Sequence, residues 1–242
     1  MMNQIRGVFF DAFRTLIDLH PSYPGAFADV CRHFGYPIAE ADVARVLSAI
    51  EAAMEKTWRR DGDFKCSPEL LSRRWRALNS MIFSAVGVAG DAVALSEEME
   101  KRFDSGRYTR AYDDTHEVLE VLRQRGLRLG VISNGTPGVA RCLELAGITE
   151  RVDFVLVSAL VGWEKPAREI FALGLEAVGL RPERVVFVGD HYEADIRGAR
   201  AVGMEAVMID RARRAADPDC PVVRDLVHFR RWLEEAQDAS ES

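Results

Sequence analysis

The sequence predicts an α/β fold, with a three-layer, Rossmann-like core built on a parallel sheet and an all-helical domain inserted into it. One short apolar run, 7–10, is typical of a buried strand. After residue 112, apolar runs alternate with helical segments, as in parallel strands joined by right-handed crossovers. Between these two regions the periodicity is helical. We therefore predict that residues 1–17 and 112–242 form the core and residues 18–111 the helical insert.

The first predicted strand ends on a carboxylate, Asp11, within the segment GVFFDAFRTL at residues 7–16. In open parallel sheets, ligands lie just beyond the carboxyl ends of the strands. Asp11 is therefore expected at the mouth of a site, although a strand-end aspartate is also typical of a turn cap. Because the insert leaves the core at this same edge, we expect it to act as a lid.

Helical periodicity predicts helices in the insert over 24–34, 39–59, 67–83 and 95–103. Ser67 and Pro68 match an N-cap followed by proline at the first helical position. No strand is expected in this part of the chain. The insert's own hydrophobic core is expected to contain four aromatic side chains, Trp58, Phe64, Trp75 and Phe83.

The remaining core elements follow in order along the chain. Strands are predicted over 127–133, 154–158, 184–188 and 205–209, and helices over 115–125, 137–146, 167–178, 194–202 and 226–235. Gly126, Gly147 and Gly203 follow three of these helices, where a residue that tolerates positive φ is favoured. The order of elements supports a parallel sheet with helices on both faces.

The amino-acid composition argues against several classes of partner and site. A hydrophobic fraction of 48% supports a sizeable core, and a net charge of −6 argues against a nucleic-acid partner held by a broad basic face. The short arginine-rich runs, 59–60, 73–74, 211–214 and 230–231, are expected to be solvated surface. Four scattered cysteines without C-x-x-C spacing argue against a zinc site or a disulfide framework. With no leader and no apolar run long enough to span a membrane, we expect a cytoplasmic protein, either a monomer or a homodimer.

Polar residues useful to an oxyanion or a cation follow the next three predicted strands. Ser133-Asn134-Gly135 ends one strand, and a hydroxyl there can bind a phosphate oxygen beside a helix N-terminus. Lys165 follows the next strand. Gly189-Asp190 ends a third, with Asp195 five residues further on, and paired carboxylates suit a hard cation. Each residue alone is also typical of a cap or a surface charge; their order on successive strand ends favours a site.

This pattern resembles the haloacid dehalogenase-like hydrolase superfamily, whose motifs run Asp-x-Asp-x-Thr, Ser/Thr, Lys, and Gly-Asp with a following Asp. Asp11 and Thr15 match the first motif, and the insert matches the position of a C1-type helical cap. The later motifs are matched by Ser133, Lys165, Asp190 and Asp195. The resemblance implies a hydrolase that acts on a small phosphorylated or halogenated molecule.

For phosphoryl transfer, Asp11 is expected to attack phosphorus and form an aspartyl-phosphate. Mg²⁺ would neutralise charge, and its expected ligands are Asp11, Asp190, Asp195 and the backbone carbonyl of Phe13. The phosphate oxygens are expected to contact Lys165, Ser133, Asn134 and Thr15. Catalytic roles are expected for Asp11, Lys165 and Ser133.

Phe13 departs from the superfamily pattern, since phosphatases of this type usually carry a general acid/base Asp there. Phenylalanine transfers no proton, and the superfamily's carbon–halogen hydrolases also carry an aromatic residue at this position. Those enzymes use no metal, whereas Gly189-Asp190 favours metal and phosphate. A dehalogenase, a phosphonate C–P hydrolase and a non-catalytic binding module therefore stay open as alternatives. The C–P route would need a cap lysine, for which the candidates are Lys56, Lys65 and Lys101.

Overall fold

The computed structural model describes residues 5–58, 64–88, 90–213 and 218–241, without the side chains of 48, 51–58 and 239–241. Its core is a six-stranded sheet with the order β5-β4-β1-β6-β7-β8, and every neighbouring pair is parallel. The strands are β1 Gly7–Phe10, β4 Arg128–Ser133, β5 Phe154–Val157, β6 Val185–Gly189, β7 Glu205–Ile209 and β8 Val222–Val223. This confirms the predicted parallel α/β core.

Strand β1 lies in the interior of the sheet, and its position explains its composition. It pairs with β4 on one side and β6 on the other, and all four of its residues are buried. A strand covered on both faces is selected for continuous apolar sequence rather than alternation. The carboxyl ends of β1, β4 and β6 therefore lie side by side at one edge of the sheet.

Helices cover both faces of this sheet. The core helices are α5 Thr115–Gln124, α6 Gly138–Leu145, α7 Ser158–Val161, α8 Arg168–Val178, α9 Gly198–Ala201 and α10 Leu226–Glu241. A π-helical turn covers Tyr192–Arg197, and short 3-10 turns cover Thr149–Arg151 and Pro182–Arg184. Apolar side chains from β1 point to both layers: Phe10 packs in the cluster with α5 and α10, and Phe9 in the cluster with α8. This gives the predicted three layers.

Four helices lie between β1 and α5 and pack on a hydrophobic cluster of their own. They are α1 Tyr23–His33, α2 Glu40–Trp58, α3 Pro68–Ala85 and α4 Ala92–Asp104. The Ser67 hydroxyl accepts a hydrogen bond from the Leu70 N–H at 3.2 Å, so the predicted N-cap of α3 is confirmed. The division of the chain into domains at residues 17 and 112 stays a prediction.

Two short strands, β2 Ile17–Leu19 and β3 Thr109–Ala111, form an antiparallel pair that connects the four helices to the core. We expected no strand from 18 to 111, and that expectation was wrong. Strands of three residues are too short to show an alternating pattern. Each backbone gains its hydrogen-bond partner only when the distant linker is brought alongside it.

Other local expectations also differ from the structure. The predicted helix over 194–202 begins instead as the π-helical turn, and β8 and α7 were not expected. Phe83 is buried in the insert as predicted, but Trp75 is 38% exposed, so its assignment to that core was wrong. The side chain of Trp58 and both residues of the 59–60 run lie outside the described part of the chain.

Within the described ranges, no helix has the length and apolar character needed to cross a bilayer.

Candidate active site

Three carboxylates meet at the carboxyl edge of the sheet. Asp11 directly follows β1, Asp190 follows β6, and Asp195 lies in the π-helical turn after it. One oxygen from each side chain lies within 4.8 Å of the other two. The Asp11 N–H donates to the carbonyl of Val188 at 2.9 Å, which continues the sheet pairing to this edge and fixes the backbone at Asp11.

Lys165 joins two of these carboxylates. Its Nζ donates to Asp11 Oδ1 at 2.7 Å and to Asp195 Oδ1 at 2.6 Å, and only 2% of its side chain is exposed. The ammonium also lies 5.2 Å from the ring centroid of Phe187 on β6. A buried ammonium between two carboxylates is retained because the Coulombic attraction and hydrogen bonds offset its desolvation.

Asn134 fixes the backbone of Lys165 from the neighbouring strand end. Its Nδ2 donates to the Lys165 carbonyl at 2.9 Å, and its Oδ1 accepts from the Lys165 N–H at 2.7 Å. Asn134, which was expected to contact a phosphate oxygen, therefore uses its side chain to position Lys165.

Gly189 and His191 position Asp195. The His191 N–H donates to Asp195 Oδ2 at 2.9 Å. A Cβ at position 189 would lie 2.3 Å from that same oxygen, so only glycine leaves room for the carboxylate to reach Lys165. Glycine at position 189 is therefore required for the packing of the acid cluster as well as for the turn after β6.

The cluster holds more negative than positive charge. Burial is the main cause that raises the pKa of Asp11 to about 6; the Asp195 carboxylate adds to this rise and Lys165 opposes it. Burial and the charges of Asp11 and Asp195 raise the pKa of Asp190 well above its ordinary range. Burial alone would lower the pKa of Lys165, but the two carboxylates outweigh it and raise that pKa. An added cation would relieve this excess.

Arg14 lies at the mouth of the cluster. Its Nη1 is 3.8 Å from Asp190 Oδ2, and 52% of its side chain is exposed. Its φ of +61° is in the left-handed region, which is uncommon for a residue other than glycine, asparagine or aspartate. The guanidinium therefore adds a positive charge beside the acids, and it lowers the pKa of Asp190 against the larger effect of burial.

Two hydroxyl groups expected to bind phosphate lie close to the strand ends. Ser133 is the last residue of β4 and is 2% exposed. Thr15 is fully buried, and its Oγ1 has no hydrogen-bond partner among the described residues. A buried hydroxyl left without a partner costs about 1–3 kcal/mol. The structure thus brings all the expected site residues to one edge, while their catalytic and binding roles stay predictions.

Phe13 joins the core to the insert. Its ring centroid lies 5.4 Å from that of Phe103 on α4, with the planes inclined by 31°. It packs against the hydrophobic clusters of both parts. The position that carries an acid in phosphatases of the superfamily this sequence resembles is therefore an apolar contact here.

A second contact between insert and core was not predicted. The Cys66 N–H donates to the Gly162 carbonyl at 3.1 Å, and the Glu164 N–H donates to the Phe64 carbonyl at 2.9 Å. Arg74 Nη1 on α3 lies 3.0 Å from Oε1 of Glu164, which is buried. Nothing in the sequence pairs residues this far apart. The glutamate directly before Lys165 was nevertheless a visible signal that this segment carries a charge in need of a partner.

The lysines considered for C–P chemistry lie in different surroundings. Lys65 pairs with Trp163 in an isolated β-bridge, and its ammonium is 5.5 Å from the Trp163 ring centroid. Lys101 is exposed in the last turn of α4. The side chain of Lys56 lies outside the described residues.

A surface cavity of about 610 Å³ lies elsewhere, beside β8 and α10. Its lining includes Arg224, His228 and Trp232 but none of the three clustered aspartates. This cavity is therefore separate from the acid cluster.

Known proteins resemble this chain over most of its length. It is 32% identical to human haloacid dehalogenase-like hydrolase domain-containing protein 3 over 231 residues, covering 93% of this chain and 88% of that protein. It is 37% identical to a phosphoserine phosphatase of Thermus thermophilus over 138 residues, covering 56% of this chain and 55% of that protein. The crystal structure of a HAD phosphatase from Thermococcus onnurineus matches with a TM-score of 0.62 and 26% identity, over 95% of this chain and 98% of that one.

The sequence profile described as haloacid dehalogenase-like hydrolase matches residues 5–203, a span that runs from β1 through the π-helical turn and includes every aspartate of the cluster. The predicted resemblance is thereby confirmed, and so is the prediction of a hydrolase. The chain belongs to the haloacid dehalogenase-like hydrolase family.

Proposed function

We propose that this protein is a Mg²⁺-dependent phosphatase that hydrolyses a small phosphoester through an aspartyl-phosphate on Asp11. The observation that carries the proposal is the buried cluster of Asp11, Asp190 and Asp195 around Lys165. A carboxylate nucleophile beside cationic groups is the arrangement that phosphoryl transfer requires, because a phosphate dianion is otherwise repelled. The phosphatase names of two similar proteins support it.

The residues present fit a divalent cation. Mg²⁺ prefers oxygen ligands, and three carboxylates within 4.8 Å supply them with more negative charge than Lys165 and Arg14 offset. Asp11, Asp190 and the Phe13 carbonyl would hold the ion, with Asp195 in or beside its coordination shell. When bound, the ion supplies the positive charge that allows a phosphate dianion to approach Asp11.

The chain's own residues would carry the following steps. An Asp11 carboxylate oxygen attacks phosphorus, the bond from phosphorus to the ester oxygen breaks, and the alcohol leaves after taking a proton from water. Water then attacks the phosphorus of the acyl-phosphate, which releases inorganic phosphate and restores the carboxylate. Lys165 and the Ser133 hydroxyl hold the non-bridging oxygens, together with the Asn134 N–H and the Thr15 hydroxyl.

The insert is proposed to act as a cap. Phe103 on α4 contacts Phe13, and Arg74 on α3 pairs with Glu164 beside Lys165, so the insert is attached to the core next to the acid cluster. We propose residues 1–17 and 112–242 as the catalytic core and residues 18–111 as this cap. A closed cap would exclude water and strengthen the electrostatic interactions within the site.

Hydrolysis at carbon is the second candidate, and Phe13 favours it. A halide leaves as an anion and needs no proton, so an aromatic residue at this position does not hinder the displacement. The excess of buried carboxylates around Asp11 argues for the phosphatase, because those carboxylates would hold a cation. Carbon–halogen displacement presents no phosphate dianion for such a cation to neutralise.

The deciding experiment is a paired assay of the purified protein, with Mg²⁺ or with chelator. One arm uses p-nitrophenyl phosphate, whose leaving group needs little protonation, and the other uses 2-chloropropionate. Phosphate release that requires Mg²⁺ and is lost in Asp11→Asn is expected. The control is Asp113→Asn, because Asp113 carries an almost fully exposed carboxylate outside the cluster.

Chloride release that resists chelator would contradict the phosphatase and support the dehalogenase. Release of neither product, with no phosphate trapped on Asp11, would favour a binding module. The C–P alternative is tested separately by borohydride trapping with a phosphonate aldehyde in wild type, Lys65→Met and Lys101→Met.

A further inference from the structure

Arg211 was expected to be solvated surface, and the structure contradicts this. The residue lies just beyond β7, and only 14% of its side chain is exposed. Arg213 in the same arginine-rich run is exposed, so the two residues differ in environment. A guanidinium this deeply placed requires hydrogen-bond acceptors on several sides, because burying an unpaired charge is strongly unfavourable.

The guanidinium of Arg211 has two sets of acceptors. Its Nη2 and Nε donate to the carbonyl of Thr15 at 2.9 and 3.3 Å. Its Nη2 and Nη1 donate to the two carboxylate oxygens of Asp114 at 2.9 and 3.2 Å. Asp114 in turn accepts from the Leu226 N–H at 2.8 Å. A single side chain therefore links the loop after Asp11 with the first residues of α5 and α10.

The same guanidinium also lies against one of the two linkers, β2 and β3 with their adjoining residues, that connect the insert to the core. Its central carbon is 3.8 Å from the ring centroid of Tyr112, the residue after β3. The Tyr112 hydroxyl donates to Asp18 on β2 at 2.6 Å, and the Tyr112 N–H donates to the Leu16 carbonyl at 3.1 Å. Both linkers are thus connected to Arg211 through Tyr112.

The loop contacted by Arg211 carries groups of the proposed site. The N–H groups of Leu16 and Ile17 both donate to the Ala12 carbonyl, at 2.9 and 3.0 Å, which makes residues 12–17 one compact turn. The carbonyl of Phe13 and the buried hydroxyl of Thr15 belong to this turn. Moving the Thr15 carbonyl would therefore move both groups relative to Asp11.

We propose that Arg211 is a positioning residue that holds the turn after Asp11 in fixed relation to both linkers of the helical insert. The planar fork of arginine can meet Thr15 and Asp114 at once while its face stacks on Tyr112. Lysine has one donor centre and no planar face, so it cannot make these contacts together. The contacts stand independently of the reaction, and only their catalytic consequence depends on the proposed function.

Hydrogen exchange without substrate is the decisive test, in wild type, Arg211→Gln and Arg211→Lys. The control is Arg125→Gln, which removes an arginine with two side-chain partners, Glu234 and Gln237, the second of which also contacts Ile5 just before β1. We expect exchange about ten- to a hundredfold faster in peptides covering 12–19 and 109–115 of Arg211→Gln. Arg211→Lys should lie between it and wild type, and the control should leave both peptides unchanged.

Unchanged exchange in those peptides would overturn the proposal. So would an equal increase in peptides from β4 and β5, because that pattern means general loss of stability rather than loss of a local restraint. In the activity arm, Arg211→Gln should lower kcat on p-nitrophenyl phosphate about tenfold or more, with KM changed far less. An inactive wild type would count against the proposed phosphatase and would leave the exchange result to decide the role of Arg211.

Discussion

Phe13 lies two residues after Asp11, where the resemblance led us to expect a general acid/base Asp in a phosphatase. Its ring instead packs on Phe103 and belongs to the hydrophobic contact between core and insert. Positioned proton transfer typically contributes about 10²–10⁴-fold to a rate. The rate of this protein should therefore depend strongly on how readily the leaving group departs without a proton.

The variant Phe13→Asp tests this reasoning. It should raise kcat/KM for an alkyl phosphate by about 10²-fold, because the new carboxyl can protonate a poor leaving group. It should change hydrolysis of p-nitrophenyl phosphate far less, because that leaving group needs little protonation. Steady-state assays of both substrates give the comparison, with Phe13→Leu as the control for loss of the contact with Phe103. Equal gains on both substrates would contradict the proposed role of position 13.

Arg74 and Glu164 form an ion pair between α3 of the insert and the segment that carries Lys165. Glu164 is buried, whereas 42% of the Arg74 side chain is exposed. Replacing Arg74 by Gln should lower the free energy of unfolding by about 1–3 kcal/mol, because a buried carboxylate loses its cationic partner. It should also reduce kcat/KM several-fold, since the insert then docks less firmly beside Lys165.

Thermal unfolding and steady-state kinetics of Arg74→Gln measure these two effects. The exposed neighbour Arg73 offers the matched control, and Arg73→Gln should change stability by less than about 0.5 kcal/mol. Equal behaviour of the two variants would mean that the ion pair contributes nothing to docking.

Asp29 connects three parts of the insert. It accepts hydrogen bonds from the Tyr108 hydroxyl at 2.7 Å and from Arg102 Nη1 on α4 at 2.9 Å, and it belongs to α1 itself. The hydrogen bond from Tyr108 lowers the pKa of Asp29, partly opposed by burial and aided by the charge of Arg102. A lowered carboxyl pKa stabilises the fold above the unfolded-state value of about 3.9, and this is lost as pH falls through the lower folded-state value.

Asp29→Asn should therefore lower Tm by about 2–6 °C at pH 7, and the difference from wild type should shrink as the pH falls below the unfolded-state pKa of about 3.9. Thermal scans of both proteins from acid to neutral pH measure this, with Asp113→Asn as the exposed control. A difference that persisted undiminished at low pH would show that Asn perturbs packing rather than charge.

Helices whose apolar pattern repeats over several turns could be predicted from the sequence. Elements that depend on distant partners could not. The helix α3 follows from Ser67, Pro68 and one apolar face, all of which are local. The linker strands β2 and β3 require each other across the whole insert. The contact of Arg74 with Glu164 and the burial of Arg211 likewise depend on packing between segments that have no shared local pattern.

At the scale of the molecule, parallel topology explains how distant residues meet. Lys165 and Asp11 are separated by 154 positions in the chain, yet their side chains are hydrogen-bonded because both follow strands that end at one edge. The sequence could predict that edge from strand order alone. It could not show that Asn134 would pair with the Lys165 backbone, since a strand-end amide is compatible with many partners.

The excess negative charge at that edge would link the proposed metal binding to the stability of the whole molecule. Burial and two neighbouring carboxylates raise the pKa of Asp190, so its charged form destabilises the metal-free fold. Without metal at neutral pH, Asp190→Asn should therefore have a higher Tm than wild type. Mg²⁺ at about a hundred times its Kd should raise the wild-type Tm by about 5–10 °C and the Tm of the variant far less, because a bound ligand stabilises only the folded state.

The expected result is thus a reversal of the order of stability when Mg²⁺ is added. Thermal unfolding of both proteins over a range of Mg²⁺ concentrations measures it. Asp113→Asn should respond to Mg²⁺ as wild type does, because its carboxylate is exposed and outside the cluster. A wild-type Tm that does not change at millimolar Mg²⁺ would remove the metal from the proposed mechanism. An equal rise in Asp190→Asn would instead place the ion at other ligands, because the loss of one of three clustered carboxylates should weaken its binding.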